Sequence, residues 1–535
     1  MRIEGAIFIR LIPFYLLCFL LSPARKHSMS SPSNQKNWLL AAVCLAALGM
    51  PLSFTGPAVV LPAIRAALGG SPVQLNWVTN AFMLSFGATL MAAGALADAY
   101  GRKRVFLMGL AVVALSSSLL TLAPGIVAFD LARALQGLGS AAAFAAGTAA
   151  LAQVFDGAAR TRAFSFIGTS FGVGLSCGSI LSGWLAESFG WQSVMLSPGA
   201  ISLAALCIAS PSMRESSNPH AMRLDMPGTV TFTAALTLLT LGVLQAPDSG
   251  WGSPWVIGAL AGAALMGAAF IAIERRVAHP MLDLSLFRFP RFVGVQLLAA
   301  APAYGFVVLL VLLPIRFIGL EGRSAMEAGV FMFALSGPIL VVPTLAASLA
   351  HRFSAGVISA VGLLVCAVGL LWLSYCAPGT PLQAIVWPLL LIGAGIGLPW
   401  GLMDGLAVSV VPRERAGMAS GIFNTVRVAG EGIALALVGA GLTALVALQL
   451  GRLPAHPGAT SQAAQRVTTG DMSQALALLP GVDRASLLHA YGAAFGTLLC
   501  VLAGVTVVTA LVVFLFLRGE THAEAGAAAL ESSAC

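Results

Sequence analysis

Along most of its length the chain alternates between long apolar runs and short polar interruptions. Many runs reach the roughly 18 residues that carry a helix across the hydrocarbon core of a bilayer. Backbone at that depth must satisfy its own hydrogen bonds, so each run is predicted to be a helix. The period-two alternation of a membrane β-barrel is absent. Fourteen spans are expected, near residues 38–61, 77–97, 104–122, 125–152, 162–186, 191–210, 228–246, 254–274, 292–317, 326–350, 354–376, 382–411, 417–447 and 490–518. Most connections are short. The exception, 451–489, holds Pro454, Pro457, Gly458 and several Ser, Thr and Gln residues, and reads as a long polar loop with room for one short helix.

Residues 6–22, AIFIRLIPFYLLCFLLS, form an earlier run that is short and interrupted by Arg10 and Pro13. It resembles the core of a signal peptide with a basic start, although no A-x-A site follows. Met29 stands just before the polar stretch SSPSNQKN, and the functional protein is expected to begin there. Residues 1–37 are therefore set apart as an N-terminal extension. The alternative, a fifteenth span, would place residue 1 outside.

Composition sharpens the class. Mean hydropathy is +0.93, with 58% hydrophobic and 9% charged residues. The 58 glycines suit close helix approach in lipid. Six of the eight cysteines lie inside apolar runs, with no CxxC and no Cys/His cluster, so neither a disulfide framework nor a metal site is expected. The net charge of +8 is scattered over short loops and is not a nucleic-acid signal. Lys and Arg fall unequally on the two sides. One set of loops carries Arg102, Lys103, Arg104, Arg160, Arg162, Arg214, Arg223, Arg275, Arg276, Arg288, Arg291, Arg352, Arg413 and Arg415; the other carries Arg65, Arg323, Arg452, Arg466 and Arg484. Both termini, including a tail at 519–535, are predicted to be cytoplasmic.

Within so uncharged a chain, GALADAYGRKRV at 94–105 gathers Asp98, Arg102, Lys103 and Arg104 into seven positions. A topology anchor would account for the cations but not for Asp98, Gly94 or Gly101. The stretch resembles the signature loop of the major facilitator superfamily, with Gly94, Leu96, Asp98, Gly101, Arg102 and Lys103 matching. QLNWVTNAFML at 74–84, ARALQGLGSAA at 132–142 (with Arg133, Gln136, Gly137 and Gly139), RLDMPG at 223–228 and ERRVAHPMLDLSLFRFPRF at 274–292 are similar to further segments of its fourteen-span drug:proton antiporter branch.

That resemblance, running from about 38 to 518, implies an all-α polytopic membrane protein. Two six-helix bundles, 38–210 and 292–518, would be separated by two extra spans within 211–291 and would rock around a central cavity. It implies that Asp98 and the following basic residues form a cytoplasmic latch holding the bundles together in the outward-facing state. Gly94 and Gly101 would let the loop turn tightly. SLAHRFSAG at 348–356 is a weaker echo, with His351 where the aspartate would be. It also implies proton handling by Arg133, whose alternative role is a tether to Asp130 or to helix carbonyls.

Ionisable residues at membrane depth are functional candidates. Asp404 lies in the twelfth span. Arg427 and Glu431 lie in the thirteenth, where i,i+4 spacing puts them on one face, close enough to pair. They read either as a neutralised pair locking two helices or as a proton-exchanging carboxylate beside its arginine. Two departures from the branch stand out. Ser53 in LSFTGPAVVLP replaces the usual first-span acid. GVGLSCG at 172–178 has Leu175 in place of a proline, while Gly172, Gly174 and Gly178 still offer a face that a neighbouring helix can approach.

The expectation is a secondary active transporter of a bacterial cytoplasmic (inner) membrane, functional as a monomer. It would export an amphipathic small molecule, such as a drug, siderophore or antibiotic, in exchange for protons. No P-loop and no Ser/His/Asp, Cys/His or metal-binding constellation appears, so neither an enzyme nor a cofactor is expected. Arg133 and Arg427 favour a neutral, zwitterionic or anionic substrate over a lipophilic dication. The alternatives are a proton-coupled importer of a vitamin or nutrient and a membrane sensor that does not transport.

Overall fold

The computed structural model describes residues 32–155, 157–216, 225–277, 282, 284–350, 352–410, 416–452 and 457–517. The run at 6–22, Met29, Arg223, His351, Arg413, Arg415 and the tail at 519–535 lie outside the described residues. Helices α1 Pro32–Leu68, α2 Pro72–Tyr100, α3 Arg102–Leu122, α4 Ile126–Val154, α5 Gly157–Phe189 and α6 Trp191–Ser212 pack together. The α7 Met226–Ser249 and α8 Pro254–Glu274 pair follows. Then come α9 Pro290–Leu320 and α10 Ala325–Leu349. The chain continues through α11 Ala355–Ser374, α12 Leu382–Ser409, α13 Ala416–Leu450, α14 Pro457–Thr468, α15 Met472–Leu478 and α16 Arg484–Leu517. Fourteen of these, all but α14 and α15, are long and apolar enough to cross a membrane. No strand occurs among the described residues.

The helix boundaries follow local chemistry. Ser71 caps α2, its hydroxyl accepting from the Gln74 N–H while Gln74 returns a bond to the Ser71 N–H, and Pro72 fills the first turn. Ser324 and Glu327 repeat the device on α10. Gly101 turns the chain from α2 into α3 at φ +111°, a conformation that a side chain would strain. Gly94 has no such role: it lies inside α2, and a side chain there would meet Ala145 at an ordinary 4.0 Å. In α9 the regular ladder gives way to π turns at Ala303–Val307 and Ile315–Leu320, each following a proline, Pro302 and Pro314.

The most extensive seams between the α1–α6 group and the later helices are α2 against α13 and α5 against α10, with α1 against α9 and α2 against α7 beside them. At the first, Gly87 lets the α2 backbone approach Ala429, where a side-chain carbon would sit 2.8 Å from its nitrogen. At the second, Ser176 donates to the Ser336 carbonyl at 2.7 Å. The span-five glycines do not present one face to one neighbour, as the sequence suggested. Gly174 and Gly178 lie against Leu48 and Leu52 of α1, while Gly172 faces Ile339 of α10 at 3.7 Å. A shift of two residues turns a side chain about 200° around a helix, so the three positions cannot share a face. Leu175 is buried, and α5 runs unbroken past it.

The segment between α13 and α16 departs most from expectation. It contains two helices rather than one, and it is not a solvated loop. Ala463, Ala464, Val467, Thr469, Asp471 and Ala475 are buried. The helix α14 packs on α13 and α7, and Thr468 bonds Thr443 hydroxyl to hydroxyl at 3.1 Å. The last helix begins at Arg484, six residues earlier than expected, because its first turns pack against this segment and against α9 rather than entering solvent.

Candidate functional site

Between the α1–α6 group and α13 lies a cavity with about 440 Å³ of space, counting the mouth that opens to solvent. Its walls are Met50 and Phe54 of α1, Phe82, Met83 and Phe86 of α2, Phe144 of α4, and Phe171 of α5. Arg427, Val428 and Glu431 of α13 complete it. One wall is thus aromatic and methionine-rich, and the opposite wall carries the two charged groups. Trp400 of α12 extends the aromatic surface, 6.3 Å from Phe171 and 6.3 Å from Phe306 between ring centres.

The charged wall is arranged differently from the sequence expectation. Arg427 and Glu431 share the cavity but form no ion pair within 4 Å. Arg427 instead pairs across helices with Asp404 at 3.6 Å and donates to Asn424 Oδ1 at 2.8 Å. Asp404 is 64% exposed and loses little hydration by pairing. Glu431 is 8% exposed and keeps no hydrogen-bond or ion-pair partner among the described residues. Ser53 does not replace the missing acid, since its hydroxyl turns back onto the Gly49 carbonyl at 3.1 Å.

Arg133 is fully enclosed one layer behind the cavity. Its Nε donates to the Val78 carbonyl of α2 at 2.7 Å, its Nη1 to Gln136 Oε1, and its guanidinium lies over the Phe82 ring at 4.8 Å. Gln136 passes the network to Ser117 of α3 at 2.8 Å. The tether therefore runs to a neighbouring helix and not to Asp130, whose Oδ1 is buried without a hydrogen bond. Phe82 is the side chain that connects this arginine to the cavity.

The two ends of the molecule differ. At the end carrying 452–483, the far end, one buried cluster runs from Phe54, Val60, Leu61 and Ile64 of α1 to Ile315, Phe317 and Leu320 of α9. Arg65 pairs with the buried Asp471 at 3.2 Å, and Glu187 of α5 accepts from the Met326 N–H of α10 at 2.9 Å. Arg316, a cation the sequence reading missed, is buried beside Glu321 at 2.8 Å.

At the end carrying GRKRV, the basic end, the latch residues bond within their own helix group. Asp98 holds Arg102 at 2.8 Å, Arg102 reaches Gln153 at 2.8 Å, and Glu215 takes Arg104 at 3.4 Å and the Lys103 N–H at 3.2 Å. One buried cluster there contains residues of α1–α6 alone, and a smaller one, Leu286, Phe292 and Ile422 of the later chain, has Met91 of α2 packed against it. Phe166, Val341 and Leu345 are exposed.

A model of the major facilitator superfamily matches residues 41–435. The chain belongs to the major facilitator superfamily. Among its relatives, the cephamycin export protein CmcT of Amycolatopsis lactamdurans is 35% identical over 431 residues, covering 78% of this chain and 87% of that protein. The puromycin resistance protein pur8 of Streptomyces alboniger is 31% identical over 444 residues, covering 82% and 88%. The multidrug resistance protein Stp of Mycobacterium tuberculosis is 31% identical over 394 residues, covering 73% of each. In fold, the superfamily chain is similar to a bacterial homologue of the human lysosomal transporter Spinster, with a TM-score of 0.63 at 16% identity, covering 90% and 97%. It is also similar to the human organic anion transporter MFSD10, with a TM-score of 0.56 at 15% identity, covering 89% and 99%. The chain is a multi-pass membrane protein of the transporter type.

Proposed function

We propose that this protein exports an amphipathic small molecule across a bacterial cytoplasmic membrane in exchange for protons, working as a monomer. The observation that carries the reading is Glu431. It is a buried carboxylate, with no hydrogen-bond or ion-pair partner among the described residues, on the wall of a cavity whose other walls are apolar. A proton antiporter needs such a group: one that can lose and regain a proton as the cavity changes sides. The α1–α6 group and the later helices are the natural rocking units, with the extra pair α7–α8 beside them. The concentration of Lys and Arg on the GRKRV side favours the cytoplasm for that side, with both termini there. On this reading substrate loads into the cavity from the cytoplasmic side. The export and resistance names of several relatives support the direction.

The test uses inside-out vesicles with an imposed pH gradient. Glu431→Gln is expected to abolish gradient-driven accumulation while substrate exchange at zero gradient continues. Gradient-driven transport at the normal rate in this variant would remove the assignment. Uptake in right-side-out vesicles instead would reverse the direction.

A further inference from the structure

We infer that the substrate is an aromatic zwitterion, carrying an ammonium and a carboxylate on or beside a flat apolar body. The inference rests on the proton-antiport reading and deepens it. Its first support is the asymmetry of the cavity. Five phenylalanines come from four helices of one group and line one wall, a surface matched to a planar ring system. The opposite wall offers one cation and one anion on the same face of α13, four residues apart and so about 5–6 Å apart at their Cβ atoms. Those two groups are not spent on each other.

Charge accounting then limits the ligand. A lipophilic cation would meet Glu431 but leave Arg427 to Asn424 and the distant, hydrated Asp404 alone. A simple anion would meet Arg427 but leave Glu431 repelling it when ionised. Either leaves a desolvated charge unanswered, which is the costly outcome. A zwitterion answers both. The Asp404 carboxylate does not already satisfy this need, because it is largely hydrated and holds Arg427 only at 3.6 Å. Among the cavity-lining residues, Arg427 and Glu431 are the titratable groups; the faces of α1, α2, α4 and α5 contribute Met and Phe, and the exposed Asp404 pairs with Arg427 from α12.

Exchange imposes the second limit. Two ligands exchange through one site when each lowers the affinity for the other, and this coupling is reciprocal. An ammonium seated on Glu431 keeps a proton off it, and a proton on Glu431 removes the charge that holds the ammonium. A substrate with no cation would bind better when Glu431 is protonated and would travel with the proton. The ammonium therefore couples to the proton, the carboxylate on Arg427 orients the molecule, and the aromatic body supplies most of the contact area.

Three fluorescent probes share one ring system and nearly one spacer length: Nε-dansyl-lysine is a zwitterion, dansyl-cadaverine a cation, and dansyl-6-aminohexanoate an anion. Binding of each to the full-length purified protein, read by dansyl emission at pH 8, is expected to favour the zwitterion by about tenfold over both others, one charge-assisted contact for each comparison. Glu431→Gln is expected to erase most of that preference over the anion, and Arg427→Gln should remove the preference over the cation. The order of the three probes on the unaltered protein decides the matter without any variant. Binding of the cation or the anion at least as tightly as the zwitterion, or binding of none, overturns the inference. Vesicle accumulation of the probes under a pH gradient is scored separately. Failure there with the zwitterion order intact would count against antiport and leave the binding inference standing.

Discussion

The far end and the basic end of this molecule contain similar materials and behave as opposites. Each has a carboxylate among arginines: Asp471 between Arg65 and Arg466, and Asp98 beside Arg102. The difference lies in which bodies the charges join. Arg65 belongs to α1 and Asp471 to the segment after α13, so that pair ties the two helix groups. Asp98 and Arg102 flank one turn, and their further partners, Gln153 and Glu215, stay within the same group. Burial follows the same division, with Asp471 1% exposed and Asp98 38%. At the far end buried charge is shared across the seam, whereas at the basic end the charged groups are satisfied within one helix group. The same carboxylate-and-arginine chemistry can serve as a closure or as a loop brace, and only the partner's address distinguishes them.

Removing the far-end charge should break this comparison most strongly. Asp471→Asn keeps the Oδ1 that accepts from the Gln474 N–H at 3.1 Å, so α15 retains its cap. It strands Arg65 and Arg466 without their counter-charge. Breaking a largely buried pair in this way costs about 2–3 kcal/mol, equivalent to about a hundredfold shift toward the state in which the far end is open. A Met50→Cys reporter on the cavity wall, in a background lacking the other cysteines, should then label much faster with an impermeant thiol reagent added from the far side. Unchanged labelling would mean that the apolar cluster alone holds that end shut.

The basic end should respond in the opposite sense and more weakly. In the conformation described, Asp98 braces its own loop, and an exposed pair of this kind contributes under about 1 kcal/mol. Asp98→Asn should therefore leave expression and the cavity intact. It should slow transport by about tenfold, because the group is needed where the basic end closes, as the family resemblance implies. The Met50→Cys reporter would label less from the far side. Transport at the normal rate with equal expression would reduce GRKRV to a topology signal.

Much of this was legible in the sequence, and the exceptions share a cause. Hydropathy located the fourteen spans because each must be apolar for longer than any loop. The GALADAYGRKRV loop and Arg133 stood out because charge is scarce. What stayed hidden was pairing between distant positions. Nothing local relates Arg65 to Asp471, or Arg427 to Asp404, and the i,i+4 rule proposed the wrong partner for Arg427 because a neighbouring helix offered a carboxylate. The 457–479 segment misled for a different reason. Its Ser, Thr and Gln content reads as solvated, yet Ala463, Ala464 and Val467 recur at helical spacing and are fully buried. Small residues carry a weak hydropathy signal and still pack closely. The aromatic wall was partly readable in Phe82 and Phe86, one turn apart on α2, but its other members come from three further helices.

The smallest effect is expected at Asp404. Its carboxylate stands 64% exposed, 3.6 Å from Arg427. An ion pair so hydrated contributes about 0–1 kcal/mol. Asp404→Asn should leave gradient-driven transport coupled and change its rate by no more than about threefold, whereas Glu431→Gln should uncouple it. Removing the Asp404 charge also frees Arg427 to meet a substrate carboxylate, so zwitterion binding should tighten slightly or stay unchanged. Two acids of the same cavity thus separate by environment, the buried one serving exchange and the hydrated one only escorting the arginine. If Asp404→Asn instead abolished pH-driven accumulation while Glu431→Gln did not, the proton would be carried by Asp404, and burial would be the wrong guide to the coupling residue in this protein.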